Sequence, residues 1–346
     1  MNKSKSKLLD ILSRIQQDKK PENQHHHSRL LIIDGVNTFL RSFAAVNRVN
    51  YYGNHVGGIT GFLLSIGSAI KQIQPTRCII VFDGEGGSTN RKYLYPEYKA
   101  NRNTSRLVNY KSFSSKTEEN QSKVDEITRL IDYIKCLPVS IICVDKLEAD
   151  DVIGYLCNKV YSDYDDSEIY VMSSDNDFMQ LVNDRTFLFS PTKKKTYGIK
   201  EVIEEFSVHP ENFLLYKTLV GDTSDNIPGI NGFGEKNTIK MFEILQSDQR
   251  KNIEDLLEVC NNPPKKSILY ERVLEMNNML SIFYKIMNIR EPNMTDDAIE
   301  DVNRQFYVRT ESLQPANFIH LLREDGINDS VLNSHGWIRL FSFLNR

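Results

Sequence analysis

Cysteine is scarce. The chain holds five, Cys78, Cys136, Cys143, Cys157 and Cys260, an odd number with no Cys-x-x-Cys pair. That excludes a disulfide scaffold and a zinc ribbon, and it fits free thiols in a reducing cytoplasm. No apolar run approaches the ~18–20 residues that span a bilayer. The apolar stretch behind the basic N-terminus is broken by Asp10, Arg14 and Asp18, which a signal peptide does not tolerate. An excess of one charge is also missing: 43 Lys/Arg against 46 Asp/Glu leave a net −3. A nucleic-acid partner must therefore show in local patches. The 40% hydrophobic and 26% charged residues exclude wholesale disorder, collagen-like repeats and a coiled-coil rod. A length of 346 residues allows one large or two modest domains.

What is present begins with an N-terminal extension, residues 1–28. Leu8, Leu9, Ile11, Leu12 and Ile15 fall at helical spacing among basic residues, ahead of a His25-His26-His27 run. A short docked helix or a frayed tail is favoured over a partner-binding helix. Apolar, β-branched runs then recur at 29–34, 78–83, 141–144, 169–172 and 186–190, separated by helical patterns at 58–73, 121–136, 148–161 and 175–182. The alternation predicts a central, mainly parallel sheet flanked by helices, an α/β fold. From about residue 200 helical patterns dominate, at 199–206, 210–221, 234–246, 251–259 and 267–288. Residues 290–346 are weakly patterned and suggest no chemistry.

Nine carboxylates stand at element edges: Asp34, Asp83, Glu148, Asp150, Asp151, Asp175, Asp177, Asp222 and Asp225. Any one of them would serve equally as a helix cap. The set is different. Acids at several strand ends of one sheet converge where such sheets bind ligands, and like charges so close need counter-cations. Oxygen donors without Cys or His select hard cations, Mg²⁺ or Mn²⁺. Two such ions ~3.5–4 Å apart are a device for phosphodiester hydrolysis.

Cations gather in one place. Residues 91–117 hold Arg91, Lys92, Lys99, Arg102, Arg106, Lys111 and Lys116 against Glu97, interleaved with Tyr93, Tyr95, Tyr98, Tyr110 and Phe113. A solvated helix is the bland reading, and a grip on single-stranded nucleic acid the sharper one. Lys193-Lys194-Lys195 reads as a hairpin tip. Gly229-Ile-Asn-Gly232-Phe-Gly234 has the wrong order for a dinucleotide fingerprint and follows a helix, not a strand. Glycines between two helices instead form a tight hairpin whose N–H groups can hold a phosphate.

Taken in order, Asp34-Gly35, Asp83-Gly84, Arg91 to Arg102, Glu148-Ala149-Asp150-Asp151, Asp175-Asn176-Asp177, Asp222 to Asp225 and Gly229 to Lys236 resemble the 5′ nuclease or flap-endonuclease family. That family includes the 5′-nuclease domain of bacterial DNA polymerase I and stand-alone phage replication 5′-3′ exonucleases (RNase H). The resemblance covers roughly residues 29–245. It implies a PIN-like core over 29–200, with a helical arch at about 91–117. Over 201–346 it implies a helix–three-turn–helix module followed by a helical C-terminal part. It implies that Asp34, Asp83, Glu148, Asp150 and Asp151 serve mainly one ion, and Asp175, Asp177, Asp222 and Asp225 mainly the second. Residues matching Lys99 and Arg102 contact the scissile phosphate, and the one matching Tyr98 stacks on a base. Arg91, Gly229, Gly232, Gly234 and Lys236 would bind DNA, with K⁺ at the hairpin. Lys236 is followed by Asn237-Thr238 where the family commonly has Thr-Ala, a small departure. Residues 103–117, poor in aliphatics, should be mobile without DNA.

The expectation is a divalent-metal-dependent, structure-specific 5′ nuclease. It would cut at 5′ ends or flap junctions of DNA or RNA–DNA duplex and remove RNA primers in replication, with no attached polymerase and no covalent Ser or His nucleophile. It would be cytoplasmic and monomeric, off the membrane, with a single-strand-binding or other replication protein docking on residues 1–28. The rivals are a PIN-type ribonuclease, which residues 211–245 oppose, and a catalytically silent DNA-binding relative, which nine intact acids oppose.

Overall fold

The computed structural model describes residues 28–102, 107–164, 166–308 and 310–344. The helical pattern expected at 8–15 lies outside them. Six strands form one sheet in the order β3-β2-β1-β4-β5-β6. β1 (Arg29–Asp34), β2 (Arg77–Asp83), β3 (Ser140–Val144), β4 (Glu168–Met172) and β5 (Thr186–Ser190) run parallel, and β6 (Lys195–Tyr197) returns antiparallel on β5. Leu30, Ile32, Ile79 and Val81 enter one hydrophobic cluster, and Leu31, Ile33, Ile80 and Phe82 another. Both faces of the strands are covered, which is why they read as unbroken apolar runs.

Helices α1 (Gly35–Ala45) and α2 (Gly57–Ile73) precede β2, the short α3 (Thr89–Leu94) follows it, α4 (Lys116–Lys135) leads into β3, and α5 (Ala149–Asp163) joins β3 to β4. α1, α2 and α4 cover one face and α5 the other. The chain builds outward from β1 to β3 on one side, then crosses to β4 on the other. The carboxyl ends of β1 and β4 thus flank a topological switch point, where open sheets of this kind bind ligands.

A helical half follows: α6 (Ile199–Phe206), α7 (Phe213–Val220), α8 (Glu235–Met241), α9 (Ile253–Asn261), α10 (Ile268–Glu275), α11 (Asn277–Met287) and α12 (Asp296–Phe306). Its Leu215, Leu219, Phe242, Leu256 and Val302 belong to the cluster that contains Ile32 and Val81, so sheet and helices share one core.

Three expected helices differ. Residues 175–182 hold a 3₁₀ turn, Asn176–Leu181, because the Asp175 side chain caps it locally by accepting the Asp177 N–H. The pattern 234–246 breaks at Phe242, whose backbone leaves the helical region (φ −128°, ψ 83°) and whose fully buried ring lies against Phe233 and Tyr270. The pattern 267–288 breaks at Met276, letting Tyr270 and Val273 on one half and Leu280 and Phe283 on the other each reach the interior.

The described residues of 290–344 pack on the sheet and its helices. α12 lies along β3, where the Gln305 side chain accepts the Cys143 N–H (2.9 Å) and donates to its carbonyl (3.1 Å), as a neighbouring strand would. α13 (Pro315–Glu324) and α14 (Ser334–Arg339) close the far side. Trp337 Nε1 donates to the Leu63 carbonyl (3.0 Å), its ring stacks on Phe318, and it covers Gly67 so closely that a Cβ there would lie 2.1 Å from Nε1. Among the described residues no helix is long and apolar enough to cross a membrane.

Candidate active site

Asp34 closes β1 and caps α1, accepting the Asn37 N–H (3.1 Å) and the Ser173 hydroxyl (3.0 Å). Asp83 closes β2 and accepts the Ala149 N–H (2.8 Å), which ties it to the start of α5. Asp175 follows β4, and its N–H donates to Ser173 Oγ (3.1 Å). Glu148 caps α5, with Asp150 and Asp151 in its first turn. Parallel strands ending at one edge and helices starting there bring these acids together.

The charges press on one another. Burial first, then Asp83, raises the Asp34 pKa from 3.8 to about 7, Asn37 and Ser173 opposing. Burial, with Asp34 next, holds Asp150 well above the usual carboxylate range. Burial and then Asp175 raise Asp177 to about 7. Glu148 goes the other way: burial would lift it, but Arg91 and Lys99 outweigh that and hold it low. Asp222 is likewise lowered, Lys217 overcoming its burial.

The protein's own cations reach into this cluster. Lys99 Nζ lies 2.7 Å from Glu148 Oε1, and Arg102 pairs with Asp225 at 2.5 Å. Tyr98 Oη sits 3.0 Å from both Glu148 and Asp225, one proton for two acceptors. The Lys99 N–H donates to the Asp225 carbonyl (2.8 Å), Asn101 Nδ2 to the Thr223 carbonyl (2.6 Å) and Asn226 Nδ2 to the Glu97 carbonyl (2.8 Å). The first half of the arm is thereby stapled to the loop that carries Asp222 and Asp225. Lys99 itself has a left-handed backbone, φ 57°, a strained setting for a side chain.

Several expectations are corrected here. Arg91 is not a surface cation for DNA. It is buried, donates to Glu148 (2.7 Å) and to both oxygens of Asp151 (2.7 and 2.8 Å), and spends its Nε on the Ile286 carbonyl. Asp151 also accepts the Glu148 N–H, so in this arrangement both its oxygens are engaged by the protein. Tyr98 is 2% exposed and packs with Leu214, Ile227 and Phe283, so its ring cannot stack on a base as it stands. The arm is no long helix among the described residues: α3 is followed by one 3₁₀ turn, Ala100–Arg102. Of its far half, residues 107–117 are described, and they pack on the sheet domain. Phe113 stacks on Phe43, and Asn109 donates to the Phe43 carbonyl. Glu119, fully buried, accepts the N–H groups of Val108 and Asn109.

Sequence reasoning missed Ser173 and Lys217. Lys217 Nζ lies 2.7 Å from Asp177 and 2.6 Å from Asp222. Its signal was a lone cation in the apolar run Phe-Leu-Leu-Tyr-Lys-Thr-Leu-Val of α7.

The glycine hairpin has the expected shape. Gly229 abuts the Val220 carbonyl, where a Cβ would come within 1.9 Å, and Gly232 takes φ 96°. Gly234 caps α8, and Lys236 is exposed on its first turn. Two hairpin carbonyls are already used: Asn231 accepts from Arg272 Nη1 (2.7 Å) and Gly232 from Asn237 Nδ2 (3.0 Å).

No group of three or more His, Cys, Asp or Glu side chains among the described residues is set to hold an ion in this arrangement. The donors nevertheless fit a hard cation. They are carboxylates only, burial and then their acidic neighbours raise the pKa values of Asp34 and Asp177, and Asp177 Oδ1 is buried with no hydrogen bond in good geometry. Lysine and arginine heads stand between the acids as a cation would.

The profile of the 5′-3′ exonuclease N-terminal, resolvase-like domain matches residues 29–207, and that of the 5′-3′ exonuclease C-terminal SAM fold matches 208–308. The chain belongs to the 5′-3′ exonuclease family. Within this family of phosphodiester hydrolases it is 30% identical over 249 residues to a 5′-3′ exonuclease of Bacillus subtilis, covering 69% of this chain and 76% of that one. It is also 30% identical over 277 residues to DNA polymerase I of the same organism, covering 79% of this chain but only 28% of the polymerase. The fold is that of the bacteriophage T5 flap endonuclease solved with DNA and metal ions: TM-score 0.62, 20% identity, covering 86% of this chain and 99% of the other. This member of the family thus has a PIN-like α/β layer and a helical C-terminal half.

Proposed function

We propose that this 5′ nuclease cuts DNA or RNA–DNA duplex at 5′ ends and flap junctions, using two Mg²⁺ or Mn²⁺ ions, and removes RNA primers during replication. The observation that carries the reading is the basic arm closed onto carboxylates at the sheet's switch point, Lys99 on Glu148 and Arg102 on Asp225. Asp34, Asp83, Glu148, Asp150 and Asp151 would serve mainly one ion, Asp151 after loosening from Arg91, and Asp175, Asp177, Asp222 and Asp225 mainly the other. Such ions lower the pKa of a water and neutralise the leaving oxygen. Lys99 and Arg102 would leave their acids for the scissile phosphate. Tyr98 would orient Glu148 through its hydroxyl. Gly229, Gly232, Gly234 and Lys236 would grip duplex phosphates without reading sequence. K⁺ at the hairpin would have to compete with Arg272 for the Asn231 carbonyl.

Residues 29–200 would form the catalytic domain and 201–346 the duplex-binding part, acting as a cytoplasmic monomer. A single-strand-binding protein would dock on residues 1–28. Digestion of a 5′ flap, a nicked duplex and an RNA–DNA hybrid, followed at nucleotide resolution with Mg²⁺ and with EDTA, tests the activity. Junction cutting that stops with EDTA is expected, and Asp34→Asn should abolish it while DNA binding persists. Cleavage of single-stranded RNA alone would point to the ribonuclease rival, and full cleavage in excess EDTA would end the two-ion reading.

A further inference from the structure

The cations among the acids come from different places. Lys99 and Arg102 belong to the arm, and Arg91 to the buried frame beneath it. Lys217 rises from α7, which packs directly against the 3₁₀ turn carrying Asp177. Its side chain is 14% exposed, as is that of Asp177, and Asp222 is 12% exposed. The ammonium donates a hydrogen bond to Asp222 Oδ2 at 2.6 Å. Toward Asp177 it is 2.7 Å away but off the line of a hydrogen bond, so the buried Oδ1 accepts none. That oxygen is paired in charge with the ammonium but not in good hydrogen-bond geometry, so the ammonium holds it less completely than it holds Asp222. The remaining oxygen of Asp222 is held by the Ser224 N–H and hydroxyl, both at 2.7 Å, which fixes the carboxylate from the far side.

We propose that Lys217 is a placeholder counter-ion. In the ion-free protein it spaces and neutralises Asp177 and Asp222, and it yields that position when a divalent cation binds there. This rests on the two-ion reading above. An ammonium carries half the charge of a divalent cation and cannot bring two carboxylates to a common point, so exchange improves compensation once the ion arrives. The ion entering here must first break two close ion pairs. Binding at this pair is therefore weakened by Lys217, which sets the divalent-ion concentration at which the second position fills.

Calorimetric titration of the full chain with Mn²⁺, without DNA and at fixed salt, tests this on wild type, K217M and K217R. Wild type should show two affinity classes. K217M should tighten the weaker class by about tenfold or more, the scale by which an opposite charge within ~4–6 Å shifts a carboxylate equilibrium. It should leave the tighter class alone, and K217R should resemble wild type. A second readout separates this from a merely structural lysine. In EDTA K217M should melt below wild type, and saturating Mn²⁺ should close the gap. Should K217M not fold, K217Q, which keeps a hydrogen-bond donor without the charge, serves the same titration. Two wild-type classes with an unmoved or weakened second class in the variant overturn the placeholder alone, as does a melting gap that Mn²⁺ leaves unchanged. Fewer than two bound ions in wild type overturns the two-ion reading and the placeholder with it.

Discussion

Lys99 and Lys236 are both cations set to meet phosphate, but only one is next to the acids. Lys99 sits on Glu148, where charge would build up in the transition state, while Lys236 is exposed on the hairpin helix. A contact that strengthens in the transition state raises kcat, and removing one costs ~10²–10³-fold. Lys99→Ala should therefore be slow by that factor even at saturating DNA. Lys236→Ala should recover near-normal kcat, with weaker binding and a salt slope shallower by about one. Single-turnover rates on a 5′ flap, with affinity measured in Ca²⁺, decide, and the opposite pattern would exchange the two roles. The acids also carry a pH signature. Asp34 and Asp177 titrate at about 7 in the folded protein against an ordinary 3.8. A folded pKa above the unfolded one means stability present below 3.8 and lost as pH rises through about 7. Glu119, lowered from 4.5 to about 2, acts with the opposite sign and in a lower window. In EDTA the Tm should thus fall between about pH 4.5 and 7, and the Tm gain from Mg²⁺ should grow across the same range. A Mg²⁺ increment independent of pH would contradict the burial of unneutralised carboxylates. The acids were legible in the sequence because strand-end and helix-start positions reveal themselves by pattern. Arg91 and Lys217 were not, since a cation's partners depend on helices far away in the chain, α11 for one and the 3₁₀ turn for the other.

At the scale of elements the arm is held at both feet. Asn101 and Asn226 tie its first half to the Asp222 loop, and Asn109 and Phe113 tie its second half to α1. The strands appeared in the sequence nearly to the residue, since five buried parallel strands leave continuous apolar runs. The arm misled because interleaved Tyr and Lys look the same whether they face solvent or, as Tyr98 and Lys99 do, turn inward onto acids. Residues 310–344 read as weakly patterned for another reason: Phe318, Trp337 and Phe341 pack on one another but find the rest of their partners on α2 and α4, far away in the chain. Trp337 should be worth ~3–5 kcal/mol against alanine. Gly67→Ala should destabilise as well, because its Cβ would collide with that indole. In urea titrations the double variant should lose less than the sum, and strict additivity would mean the two sites do not touch.

For the whole molecule, one core joins sheet and helical half across the point where the two family profiles meet, residues 207 and 208. The acids at the sheet edge are positioned from both sides of that border, Asp177 from the sheet half and Asp222 from the helical half. β3 is one of the sheet's two edge strands, and strand edges with open amides recruit other chains. Gln305, by occupying the Cys143 amide and carbonyl, acts as a guard against such recruitment. Gln305→Leu keeps the side-chain volume but uncovers that edge. It should leave flap cutting intact once folded, yet raise light scattering during refolding and shift part of the protein to larger species on gel filtration. A variant that refolds as cleanly as wild type would show that the bulk of α12, and not its one amide, keeps this nuclease from polymerising through its sheet.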